Sequence, residues 1–150
     1  MTTRSRTGSP RTTSTAQKAM VSLLLAAGHL RRELNVACAR HDITSDQYNV
    51  LRILRGAGEG GLPRYEIASR MIERAPDVTR LLDRLEARGL VDRARSSEDR
   101  RLSLTRITEA GHALLERLDP EIVAVHEHFA RALSHAERLA LTRVCNRLLE

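Results

Sequence analysis

The sequence predicts a mainly α-helical protein that carries one small β-hairpin. Three observations predict it. Apolar residues recur at three- and four-residue spacing through most of the chain. Ser or Thr stands three residues ahead of Gln or Glu at three points where such periodicity begins. Two stretches that read as strands, residues 90–95 and 102–107, are separated only by a polar tip. The 150 residues are one domain's length, and 41% hydrophobic with 29% charged residues suits a folded core.

Residues 1–13 (MTTRSRTGSPRTT) lack periodicity and read as a disordered basic arm, leaving 14–150 as a single domain. Ser14 and Gln17 have capping-box spacing and open a helix to about Arg40, with Leu23, Ala26, Ala27, Leu30, Leu34 and Ala37 on one stripe. Its length is more than half again that of an ordinary helix, so the stripe is expected to do more than cover a local core. Thr44 and Gln47 open a second helix carrying Tyr48, Val50, Leu51 and Leu54, which Gly56, Gly58, Gly60 and Gly61 end. Pro63 suits the first turn of a third helix containing Ile67, Ala68 and Met71. Pro76 opens a fourth, where Val78, Leu81, Leu82 and Leu85 form a buried face and Gly89 terminates. The hairpin follows, with residues 96–100 as its tip. Thr108 caps a fifth helix, with a bend expected near Pro120, and Ser134 with Glu137 opens a last one carrying Leu139, Leu141, Val144 and Leu148.

The formal charge of +6 is unevenly placed: residues 1–18 carry +4 and residues 64–106 carry +3, while residues 107–150 carry −2. That distribution fits a polyanion binder. Lys18 stands alone beside 24 arginines, so a compositional bias also operates. Three aromatic residues, Tyr48, Tyr65 and Phe129, are too few for a base-stacking platform. No apolar run reaches the roughly 18–20 residues of a membrane span, and the N-terminus lacks a signal-peptide core. Two cysteines, Cys38 and Cys145, make no disulfide framework, which suits a reducing cytoplasm. G-x-S-x-G, H-E-x-x-H and a phosphate-cradling glycine loop are all missing, which argues against an enzyme and implies no cofactor.

Helix, helix and hairpin over 64–71, 76–88 and 90–107 form the winged helix-turn-helix pattern, whose second helix enters the major groove. On that helix Arg80, Asp83, Arg84 and Ala87 face outward, with Asp77 and Thr79 at the borders. Arg80, Arg84 and Arg88 stand in one row, four residues apart.

Residues 77–93 (DVTRLLDRLEARGLVDR) and 99–111 (DRRLSLTRITEAG) closely resemble the MarR family of bacterial transcription regulators, and the resemblance runs from about residue 17 to 150. It rests most on Thr79-Arg80, the Asp99-x-Arg101 wing tip and Ile107-Thr108-x-x-Gly111. The resemblance implies a homodimer on a pseudo-palindromic double-stranded operator, with repression relieved by a small ligand or an oxidant. It also implies a winged helix over about 44–107, flanked by dimerisation helices over about 14–41 and 109–150. Thr79 and Arg80 would lie in the major groove and Arg101 in the minor groove, oriented by Asp99. The expected DNA-binding set is Asp77, Thr79, Arg80, Arg84, Asp99, Arg100 and Arg101.

Some residues depart from the family pattern. Ala75, ahead of Pro76, cannot cap through its side chain. Asp77 favours the helix dipole but repels phosphate unless it accepts from cytosine N4. In the second wing strand the apolar residues are Leu102 and Leu104, where the family favours the positions of Ser103 and Thr105. Three alternatives accompany the regulator reading. One is a non-specific nucleoid-type DNA binder, which footprinting separates from a regulator. A zinc sensor would draw on Glu33, Cys38, His41, His112, His126 and His128, with Cys38 and His41 three apart; the plain reading is a buried cysteine and an exposed histidine, with no metal. An oxidant sensor would use Cys38 or Cys145, and needs a lowered thiol pKa and access. A small organic effector could meet His29, Arg32 and Arg52, though no spacing selects them.

Overall fold

The computed structural model describes residues 14–73 and 77–150, so the expectations for the arm, Ala75 and Pro76 lie outside the described residues. The elements are α1 (Thr15–Ala39), α2 (Ser45–Ala57), a 3-10 turn (Gly58–Gly60), β1 (Leu62–Pro63), α3 (Arg64–Arg70), α4 (Val78–Ala87), β2 (Val91–Arg95), β3 (Ser103–Ile107), α5 (Glu109–Ala132) and α6 (His135–Leu149). The chain divides into two compact units inside α1, one ending at Arg32 and the other running from Glu33 to Glu150.

The capping signals at Thr44 and Ser134 act as expected. The Gln47 N–H donates to Thr44 Oγ1 at 3.1 Å, while Gln47 Oε1 accepts from the Thr44 N–H at 3.0 Å. Ser134 and Glu137 form the same reciprocal pair at the start of α6. Ser14 accepts from the Gln17 N–H at 3.1 Å. Each cap satisfies a backbone N–H that the first helical turn leaves unpaired.

The second unit has one core. Val50, Leu51 and Leu54 of α2, Ile67 of α3, Leu81, Leu82 and Leu85 of α4, Val91 of β2 and Leu114, Leu115 and Leu118 of α5 are buried together. Two arginines tie α5 to this unit. Arg55 grips Asp119 with two bonds, at 2.8 and 3.2 Å. Glu121 accepts from Arg40 at 3.0 Å and meets His41 Nε2 at 2.8 Å. α5 is one unbroken helix with Pro120 inside it.

The sheet corrects the two-stranded expectation. It has three strands in the order β1-β3-β2, all antiparallel, with Leu62 opposite Thr105 and Pro63 opposite Leu104. Pro63 therefore ends an edge strand and stands at the N-cap of α3 rather than in its first turn. An edge tolerates proline because one side of its backbone needs no ladder partner. Gly61, at φ 69°, lets this strand approach: a Cβ there would lie 2.6 Å from the Thr105 carbonyl oxygen.

The wing register pairs Val91 with Ile107 and Arg95 with Ser103. Thr105, only 1% exposed, is the buried side chain of β3, while Leu104 is half-buried and Ser103 exposed. The strand thus faces inward at the Thr105 position despite its apolar Leu104. The exit from the wing is held by backbone and side chain together. The Thr108 N–H donates to the Leu90 carbonyl (3.1 Å), its hydroxyl donates to the Gly89 carbonyl (2.6 Å), and its oxygen accepts from the Gly111 N–H (3.1 Å). Gly111 packs so closely there that a Cβ would lie 2.3 Å from the Leu90 oxygen. The Thr108-x-x-Gly111 spacing is thus a clamp that sets the start of α5 against the turn leaving α4.

Candidate nucleic-acid interface

Helix α4 presents two faces. Val78, Leu81, Leu82 and Leu85 are buried, and Thr79, Arg80, Asp83, Arg84 and Arg88 are exposed. The helix starts on Asp77, whose Oδ1 accepts the Arg80 N–H at 3.3 Å and whose Oδ2 lies 3.3 Å from Arg80 Nε. Asp77 is therefore the N-cap, a role the sequence reading did not give it, and it offsets the charge of Arg80. Both side chains remain more than half exposed, so this pair is weak and can open for another partner.

The other two carboxylates of α4 have a common partner. Arg93 of β2 donates to Asp83 Oδ1 at 2.6 Å and, through Nε, to Glu86 Oε2 at 2.9 Å; its Nη2 also meets Glu86. Glu86 and then Asp83 raise the pKa of this guanidinium further. Arg88, third in the basic row, donates instead to the Asp42 carbonyl, where the chain takes a left-handed turn (φ 57°) between α1 and α2. Arg84 thus keeps its guanidinium without a partner among the described residues, with Arg80 one turn before it on the same face.

At the wing tip the Asp99 carboxylate bonds backbone. Its Oδ1 accepts from the Arg101 N–H at 2.9 Å. Ser96 Oγ accepts from the Glu98 and Asp99 N–H groups at 3.2 and 3.3 Å, and the Leu102 N–H donates to the Asp99 carbonyl at 2.9 Å. This corrects the expectation that Asp99 orients the Arg101 guanidinium directly: it shapes the turn from which Arg101 projects. Arg95, Arg100 and Arg101 are exposed on the wing, with no ion-pair partner among the described residues.

Cys38 and His41 have other surroundings than a sensor site needs. Cys38 is fully buried, and that burial, with the charge of Glu121 nearby, pushes its thiol up to about 11. A peroxide sensor needs the opposite shift. His41 is engaged by Glu121, and among the described residues no three His, Cys, Asp or Glu side chains group to hold a metal. Arg52 is exposed on α2, and His29 and Arg32 belong to the first unit.

Sequence reasoning passed over Arg93, and it placed Arg88 in the basic row without its backbone partner. A signal for Arg93 was present: two carboxylates three apart on an outward helix face, followed by an arginine near the start of the next strand. For Arg88 none was, because its acceptor is a backbone carbonyl 46 residues away.

The MarR family pattern matches residues 43–103. A MarR transcription factor of Planctomyces limnophilus is 34% identical, with 91% of this chain and 98% of that one aligned at a TM-score of 0.69. The chain belongs to the MarR family. HTH-type transcriptional regulator MhqR of Bacillus subtilis is 26% identical over 91% of this chain and 92% of its own length. A mutant MarR of E. coli, in a structure complexed with operator DNA, is 25% identical, with 89% and 94% coverage and a TM-score of 0.79. This MarR-family protein is accordingly a DNA-binding transcription regulator and not an enzyme. No helix among its described residues is long and apolar enough to cross a membrane.

Proposed function

We propose that this MarR-family chain is a cytoplasmic, homodimeric repressor that reads a pseudo-palindromic operator and is released by a small organic ligand. In this reading Thr79, Arg80 and Arg84 read the major groove. Arg100 and Arg101 enter or flank the minor groove, and Asp77 and Asp99 hold the backbone beneath them. Residues 1–13 add phosphate contacts. The carrying observation is the outward face of α4, where the carboxylates of Asp77, Asp83 and Glu86 are engaged while Arg84 stays unpaired among the described residues, beside a wing on which Arg95, Arg100, Arg101 and Arg106 are exposed. The E. coli relative's complex with operator DNA supports the same use of the fold. Homodimerisation is supported by the exposed apolar residues of the terminal helices: Leu24 and Leu25 in α1, and Leu139, Val144 and Leu148 in α6. Monomers rarely expose contiguous apolar patches larger than a few hundred Å².

The test is selection of duplexes from a random pool by the full-length protein, followed by footprinting. Enrichment of one inverted repeat, protected over two half-sites, is the expected result. Uniform protection of any duplex would support a nucleoid-type binder instead. On the selected duplex, Arg84→Ala and Arg101→Ala should each cost about 1–3 kcal/mol. Removing residues 1–13 should flatten the dependence of log affinity on log salt by ~0.9 per lost phosphate contact, without changing the sequence selected.

A further inference from the structure

Arg93 sits where it has no need of DNA to matter. In β2, Val91 and Arg93 share a sheet face, since strand side chains alternate, and Val91 is buried in the core that includes α4. That face directs the Arg93 side chain over the outward side of α4. There it meets Asp83 and Glu86, one turn apart on the helix. Asp83 lies on the DNA-facing arc next to Arg84 and is 54% exposed. Uncovered, these two carboxylates would bring two negative charges toward a phosphate backbone at the groove where the helix must enter. Like charges set against each other across an interface weaken it and slow encounter.

We propose that Arg93 is a positioning residue for operator binding, a clamp from wing to recognition helix that masks the Asp83 and Glu86 carboxylates so that the Arg84 face meets DNA as a positive surface. The inference rests on α4 being the DNA-reading helix. It gives Arg93 two effects. The guanidinium cancels charge that would otherwise repel phosphate. It also draws both carboxylates toward the wing, leaving the Arg80–Arg84 row clear. The local formal charge of the three side chains is −1 with Arg93 present and −2 without it.

The charge effect separates masking from simple tethering, because it makes a rescue prediction. Arg93→Met should weaken binding to the duplex selected by the parent protein by about tenfold at low salt, and by less as salt rises. Adding Asp83→Asn and Glu86→Gln to Arg93→Met removes every charge of the clamp. The triple variant should recover parental affinity or exceed it, although the wing-to-helix ion pairs are gone. A tether would behave differently: the triple variant would bind as poorly as Arg93→Met or worse. Near-ultraviolet and far-ultraviolet dichroism establish folding, and the comparison of triple variant with parent stands even if Arg93→Met alone fails to fold. Parental affinity for Arg93→Met, or a triple variant roughly tenfold weaker than the parent, overturns the proposal. If the parent protein enriches no duplex at all, it is the reading of α4 as the DNA-reading helix that fails.

Discussion

Helices α4 and α6 carry similar apolar stripes in the sequence, and the chain treats them in opposite ways. In α4 the residues Val78, Leu81, Leu82 and Leu85 are all buried. In α6 none is: Leu139, Leu141, Val144 and Leu148 remain exposed, the last at 67%. α1 resembles α6, with only Ala37 and Cys38 buried near its C-terminal end. A periodic stripe reports that a helix has an apolar face. It does not report which chain covers that face. The winged-helix core is closed by elements of its own chain, α2, α3, β2 and α5, whereas the proposed cover for α6 is a second copy.

The largest expected effect tests the closed core. Leu115→Ala in α5 removes a fully buried side chain and should lower unfolding free energy by about 2–5 kcal/mol, measured by denaturant titration, at every protein concentration. Leu148→Ala should instead cost little at low concentration and show its loss only where dimers form. If both variants lose the same free energy at all concentrations, α6 has cover within its own chain and the contrast collapses.

A charge in the open face sharpens the contrast. Leu139→Glu with Val144→Glu should shift the light-scattering mass from dimer to monomer while leaving the helical dichroism of the winged-helix unit in place. A mass unchanged by the double substitution would move the dimer contact elsewhere.

Within the winged-helix unit, the wing tip offers a smaller effect. Asp99→Ala removes the acceptor of the Arg101 N–H and should weaken operator binding by about 1 kcal/mol, the scale of one hydrogen bond. Asp99→Asn keeps an acceptor oxygen in the same place and should restore most of the affinity. Failure of Asn to rescue would return the role of Asp99 to its charge.

The smallest effect is pH-dependent and lies where α5 meets the end of α1. The bonds from His41, and then Arg40, hold the Glu121 carboxyl below its ordinary value of 4.5. A carboxylate with a depressed folded pKa stabilises the native state above its unfolded pKa, and that contribution disappears as pH falls through the folded value. Thermal melts of the parent should therefore lose stability below about pH 4.5 more steeply than those of Glu121→Gln. Parallel melting curves for the two proteins would show that the cluster adds nothing to the joint.

Much of this architecture was legible in the residues alone. Thr44 with Gln47, Ser134 with Glu137, Gly89 at φ 68° and the polar tip at residues 96–100 mark their own element boundaries. The candidate site was legible in outline: Thr79, Arg80, Arg84, Arg100 and Arg101 are all exposed on the elements expected to carry them. What Asp77 and Asp99 do there was not. Both are acids in a basic region, and their acceptor roles toward the Arg80 and Arg101 amides appear only once the backbone turns are built.

The sequence by itself determined the helices, their caps, the hairpin and the basic face, because each of those signals is carried by residues within about four positions of one another, where helix and turn geometry is the same in every protein. Tertiary structure alone decided the rest. Two residues, Leu62 and Pro63, have no periodicity to reveal a strand, and they become one only against Leu104 and Thr105. The burial of Cys38 that raises its thiol, the closeness of Gly111 to Leu90, and the hold of Arg93 on Asp83 and Glu86 likewise arise between elements. Such contacts depend on where packing places two surfaces, and spacing along the chain does not encode that placement.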